Sequence, residues 1–127
     1  MRVVHTDNAP KAVGPYSQAI SVSAGETVYV SGQIPLDPAT MKVAEGGIAA
    51  QTKQTLNNLK AVLVEAGCSF ADVVKTTIYL TDLSDFVTVN EIYEEALSPY
   101  RPARACVQVQ ALPKGVNIEI DAIAVRR

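Results

Sequence analysis

The chain has 127 residues, 48% of them hydrophobic and 19% charged, with a formal net charge of -2. That balance excludes disorder as the main state and predicts a single domain over residues 1–127. No apolar run approaches the ~20 residues that cross a bilayer, and a mildly acidic chain is poorly suited to neutralise nucleic-acid phosphates.

The first sixteen residues carry Asn8, Pro10, Gly14 and Pro15, which predict little regular structure. Met1 to Pro10 also lacks the apolar core of a secretory signal, so a cytoplasmic location is expected. Ser17–Val22 and Thr27–Ser31 read as two short strands. Gly25-Glu26 between them predicts a hairpin. Gly32 to Ala39, with Pro35 and Pro38, reads as a loop.

From Ile48 the period changes. Ile48, Thr52, Thr55, Leu56, Leu59, Val62, Leu63 and Ala66 recur at helical spacing, with Gly67 as a C-terminal stop. Val73–Leu80 reads as a strand with apolar residues on both faces: Val74, Ile78 and Leu80 on one, Val73 and Tyr79 on the other. Asp82–Asp85 supplies a turn and helix cap. Phe86, Val89, Tyr93, Ala96 and Leu97 form a second helical stripe, ended by Ser98-Pro99.

Arg104–Ala111 and Val116–Val125 both alternate, separated by Leu112-Pro113-Lys114-Gly115. Read as a hairpin, they place Arg104, Cys106, Glu119 and Asp121 together on the face away from the helices. Pairing Ala111 with Val116 sets Arg104 and Glu119 four residues apart along the ladder, ~13 Å at ~3.3 Å per residue. The element order is then β-β-α-β-α-β-β, an α+β mixed sheet with both helices on one face. Tyr79, Ile123 and Val125 remain on the other face, which predicts an oligomer that covers it with copies of itself.

The chemistry-bearing residues are few. Cys68, Cys106 and His5 are separated in sequence, so neither a disulfide framework nor a structural metal site is expected. Arg104 could grip a carboxylate through its guanidinium fork, or form an ordinary ion pair with an acidic side chain across an interface. Glu119, flanked by Ile118 and Ile120, could act as a general base or as a counter-ion. Cys106 beside Arg104 could be a reactive thiolate or a small buried hydrophobe. Tyr16 could offer its phenol to a ligand or fill the core. Gly32 could present its N–H to an anion or merely turn the chain.

Several segments resemble the Rid family of reactive-intermediate deaminases, also called the YjgF family. They are Asn8-Ala9-Pro10, Gly14-Pro15-Tyr16-Ser17-Gln18-Ala19, Ser31-Gly32-Gln33-Ile34-Pro35, Asn58-Leu59, Val89-Asn90, and Arg101-Pro102-Ala103-Arg104 through Leu112-Pro113 to Ile118-Glu119-Ile120. Gln110 departs from the family pattern, which is usually small there. The resemblance implies a chorismate-mutase-like fold assembled as a homotrimer, with a central barrel and three clefts between subunits. It implies hydrolysis of 2-imino and 2-enamine acids, such as 2-aminoacrylate, 2-iminopropanoate and 2-iminobutanoate, to 2-keto acids and ammonia, without metal or cofactor. Arg104 would hold the substrate carboxylate and Glu119 the attacking water. Tyr16, Gly32 and the main chain around Cys106 would line the cleft, with Asn90 nearby. Other readings are a non-catalytic carboxylate-binding or regulatory protein, a stress-activated chaperone and, last, a ribonuclease.

Overall fold

Two helices and a four-stranded mixed sheet form the body of the structure, a computed structural model that describes residues 1–127. The strands are β1 (Arg2–Val4), β2 (Ala19–Ser21), β3 (Glu26–Gln33), β4 (Val73–Leu80), β5 (Ala103–Gln108) and β6 (Ile118–Arg126). The helices are α1 (Gly47–Glu65) and α2 (Phe86–Leu97). No helix is long and apolar enough to cross a membrane.

The helices follow the predicted stripes except at Val62 of α1 and Ala96 of α2, which lie at the edges of the buried faces and are exposed. α1 buries Gln51, Thr52, Thr55, Leu56, Leu59 and Leu63. It closes where Gly67 takes a φ of 76° and its N–H reaches Val64 O, while Cys68 N–H reaches Leu63 O. This paired C-terminal bonding needs a left-handed residue, which glycine adopts without strain. It also turns Cys68 into the core, so that cysteine is structural. α2 buries Val89, Tyr93 and Leu97. A short turn at Leu83–Asp85 leads into it, capped by Asp82 through Ser84 N–H.

In the main sheet the order is β3-β6-β4-β5. β6 lies antiparallel to both β3 and β4, and β5 runs parallel to β4. Parallel neighbours need a crossover of a dozen or more residues, and α2 supplies it between β4 and β5. α1 makes the corresponding crossover from β3 to β4, with β6 inserted between them. Both helices pack into one core cluster with Ile78, Leu80, Ile118, Ile120, Ala122 and Ala124, so one face of the sheet is covered.

Four expectations require correction. Arg2–Val4, read as irregular, is a strand, and it takes β2 as its partner. β2 therefore does not form a hairpin with β3. The longer β6 pairs with β3 instead and sets Val28 and Val30 beside Ala124 and Ala122. β5 and β6 do not form a hairpin either, because β4 lies between them. The segment from Val109 to Asn117 is long enough to pass over the end of β4, where Val109 N–H bonds Leu80 O and Thr81 N–H bonds Asn117 O. Finally, a register slip between Val73 and Lys75 places Val73 on the core side with Thr76, Ile78 and Leu80, not with Tyr79.

A polar pair ties β4 to α2 inside this core. Thr76 Oγ1 and Tyr93 Oη lie 2.8 Å apart and both residues are fully buried. Burial pushes the Tyr93 phenol above its ordinary range and keeps it neutral. Tyr93→Phe leaves the threonine hydroxyl without a partner and is expected to cost about 1–3 kcal/mol by urea denaturation. Adding Thr76→Val should recover most of that loss, since an apolar pair of similar shape replaces the orphaned hydroxyl. A double variant that loses stability additively would contradict this reading.

Candidate active site

Strand β5 is an edge strand, and its alternation decides where Arg104 points. Arg104 stands beside Thr76, and Cys106 beside Ile78, both core-facing residues of β4. Arg104 and Cys106 therefore lie on the helix side of the sheet. This corrects the expected hairpin, which placed them on the open face. The reason is the parallel register with β4, which sets the even-numbered residues of β5 beneath α2.

The Arg104 guanidinium is enclosed by aromatic rings. Its carbon lies 5.2 Å from the centre of the Tyr93 ring, 5.4 Å from Tyr16 and 5.6 Å from Phe86. A cation over ring faces is held there electrostatically. Its Nη1 donates to Asn90 Oδ1 at 2.7 Å, which fixes the rotation of the fork. No carboxylate of the chain lies within 4 Å of it. One N–H of five is thus used, and the others are available to a ligand. The other expectation, an ion pair with an acidic side chain across an interface, would place a neighbouring copy's carboxylate on the same fork.

Tyr16, Leu83, Phe86, Arg104 and Cys106 line a cleft of about 440 Å3. Tyr16 is brought there by a loop pinned at both ends. Ser17 N–H donates to Pro102 O at 3.2 Å, and Ser17 Oγ bonds Arg101 O. The Gln18 amide holds the start of the loop. Its Oε1 accepts from Thr6 N–H at 2.7 Å, and its Nε2 donates to Thr6 O at 3.0 Å and to Pro10 O at 2.7 Å. His5, the only imidazole, faces Asp7 on an exposed loop, outside the cleft.

Cys106 is half-buried in the cleft wall. Burial raises its thiol pKa, and the nearby Arg104 charge offsets that only in part. The sign is clear: at pH 7 the sulfur is a neutral thiol, so the thiolate alternative is disfavoured. Its alkylation by iodoacetamide should still climb about tenfold per pH unit between pH 7 and 8, because only the thiolate reacts. A rate that levels off below pH 8 would contradict the neutral assignment.

Glu119 occupies a different place. It pairs with Tyr79 across β4, and neighbouring Asp121 accepts a hydrogen bond from Tyr79 Oη at 3.0 Å. These residues alternate with the buried Ile118, Ile120 and Ala122, so they lie on the open face of the sheet. Gly32, at the end of edge strand β3, lies directly against the Glu119 side chain. The six residues singled out in the sequence thus form two groups. Tyr16, Asn90, Arg104 and Cys106 meet at the β5 edge under α2. Gly32 and Glu119 meet at the β3 side on the opposite face.

A family model described as endoribonuclease L-PSP matches residues 6–126. The chain belongs to the Rid (YjgF) family. This Rid protein is 56% identical over 124 residues to Protein DfrA of Myxococcus xanthus, an alignment covering 98% of this chain and 95% of the relative. It is 51% identical over 125 residues to human 2-iminobutanoate/2-iminopropanoate deaminase, covering 98% and 90% respectively. The solved structure of RidA from the Antarctic bacterium Psychrobacter sp. PAMC 21119 superposes with a TM-score of 0.77 at 51% identity, over 99% of this chain and all of that one. The α+β fold with two helices on a mixed sheet is therefore the fold of this Rid protein.

Sequence reading missed the aromatic enclosure. Phe86, Asn90 and Tyr93 fall at i, i+4 and i+7 of α2, one face of the helix. That spacing was visible, but Phe86 and Tyr93 read simply as core. What converts them into an arginine cradle is the parallel placement of β5, which no local pattern signals.

Proposed function

We propose that this Rid protein hydrolyses 2-imino acids such as 2-iminobutanoate and 2-iminopropanoate, and their enamine tautomers, to 2-keto acids and ammonia. The observation that carries the reading is Arg104: a cation held in an aromatic cleft, oriented by Asn90, with no acidic partner in its own chain. Such a fork suits a small carboxylate bound through two charge-assisted hydrogen bonds. The deaminase name of a relative at 51% identity supports the substrate class.

The other half of the chemistry is a base, and Glu119 is the candidate. Within one chain it faces away from Arg104. Arg104 lies on edge strand β5, and Glu119 reaches the opposite edge from β6, against Gly32 of β3, so a head-to-tail contact between copies would join them. Both edges also present apolar side chains on the open face: Tyr29 of β3 is 76% exposed and Val107 of β5 is 42% exposed. Closing such a contact into a ring of three, with the open faces forming a central barrel, gives the homotrimer we infer. Each cleft then draws Tyr16, Arg104 and Cys106 from one copy, and Gly32 and Glu119 from the next.

In that cleft the substrate carboxylate lies on Arg104, and C2 of the protonated imine, an iminium, is already electrophilic. A water oxygen bonds to C2 while Glu119 takes its proton. The resulting carboxyl group returns that proton to the amino nitrogen. The C–N bond then breaks with its electron pair on ammonia, the hydroxyl collapses to the 2-keto group, and its proton leaves with ammonium. Positioning and general base catalysis suffice for this sequence, with no covalent enzyme intermediate.

A carboxylate-binding protein without turnover is the second reading. It is favoured by the absence of any base in the cleft of one chain. The separating experiment generates 2-iminobutanoate with a threonine dehydratase in the presence of semicarbazide. Hydrolysis by this protein should reduce the trapped semicarbazone. Unchanged trapping would favour the binding reading.

A further inference from the structure

Gly32 stands at an irregularity in β3. Val30 pairs with Ala122 and Gln33 with Ile120, so Ser31 and Gly32 together oppose Asp121. This is a β-bulge, a device that re-aims the residues it displaces. The bulge brings the Gly32 backbone onto the Glu119 side chain. A methyl group at Gly32 would overlap Glu119 Oε2 and lie 2.7 Å from Cδ and 3.1 Å from Cγ. Gly32 is not among the positive-φ glycines, so backbone conformation does not require glycine here. The room for the carboxylate does. Gly32 and Ser31 are exposed, so no core packing explains the missing side chain either.

We propose that Gly32 is a positioning residue that acts through Glu119. Its missing side chain leaves the space in which the Glu119 carboxylate lies against the bulge, at the sheet edge that would meet the neighbouring copy's cleft. The inference rests on the reading of Glu119 as the base. It differs from the expectation that Gly32 serves the substrate through its own N–H. Because the overlapping atoms are the end of a flexible side chain, Gly32→Ala is expected to fold while the carboxylate moves aside.

Two cycles of variants test this. In the first, Gly32→Ala lowers kcat for imine hydrolysis about 10–100-fold with KM changed less than about threefold. The same substitution in a Glu119→Gln background adds less than about twofold. Additive losses would overturn the proposal, since Gly32 would then act on the substrate or the fold directly. In the second, Gly32→Ala lowers Tm in the wild-type background but not in a Glu119→Ala background, where the obstruction is gone. Equal Tm losses in both would overturn the steric contact itself. A fully active Glu119→Gln protein would remove the base reading, and the Tm cycle would still decide whether Gly32 makes room for the carboxylate.

Discussion

Arg104→Ala should reduce kcat/KM for 2-iminobutanoate hydrolysis by about 10²–10⁴-fold. Two hydrogen bonds to a carboxylate are lost, each worth about 1.5–3 kcal/mol when charge-assisted, and about 1.4 kcal/mol corresponds to tenfold. The carboxylate is bound in ground and transition states alike, so much of the loss should appear in KM, with a further part in kcat from lost orientation. The fold should survive. Arg104 is half-buried on an edge strand, and its one internal bond goes to the half-buried Asn90, which water can satisfy. Arg104→Lys should recover only part of the activity, because an ammonium retains the charge but not the fork. Steady-state kinetics with far-UV circular dichroism check both statements. A folded Arg104→Ala protein with wild-type kcat/KM would exclude the carboxylate-gripping role.

Glu119→Gln should lower kcat by about 10²–10⁴-fold, the usual worth of a positioned general base, while KM changes little. The amide keeps the size of the side chain and its place against Gly32 but cannot accept the water proton. Binding of a stable 2-keto acid, measured by calorimetry, should persist in this variant and be lost in Arg104→Ala. The two substitutions thus separate grip from base. If both abolished 2-keto acid binding, Glu119 would be a structural counter-charge for the cleft.

Much of the fold was legible from local patterns. The stripes of α1 and α2, the Gly67 stop and the alternation of β6 all follow from side-chain periodicity and capping, which act over a few residues. Strand partners did not follow. Arg104 to Ala111 and Val116 to Val125 look like a hairpin because they are consecutive and both alternate, yet β4 takes the place between them. The preference arises from burying Ile78 and Leu80 centrally and from the crossover that α2 provides, both non-local. The site carried the same error. The residue types were readable one by one, but assigning Arg104 and Glu119 to a common face required the pairing. Correcting the pairing separates them by the thickness of the sheet, so the proposed mechanism requires a second copy of the chain to complete the site.

That necessity is open to a direct measurement. Arg104→Ala and Glu119→Gln subunits, each inactive alone, are unfolded together in equal amounts and allowed to reassemble. If every cleft takes Arg104 from one copy and Glu119 from the next, random mixing makes about one cleft in four wild-type in both groups. Imine hydrolysis should then return to about a quarter of the wild-type rate per subunit. A mixture no more active than its two components would show that Arg104 and Glu119 do not complete a site across copies, and would contradict the shared cleft.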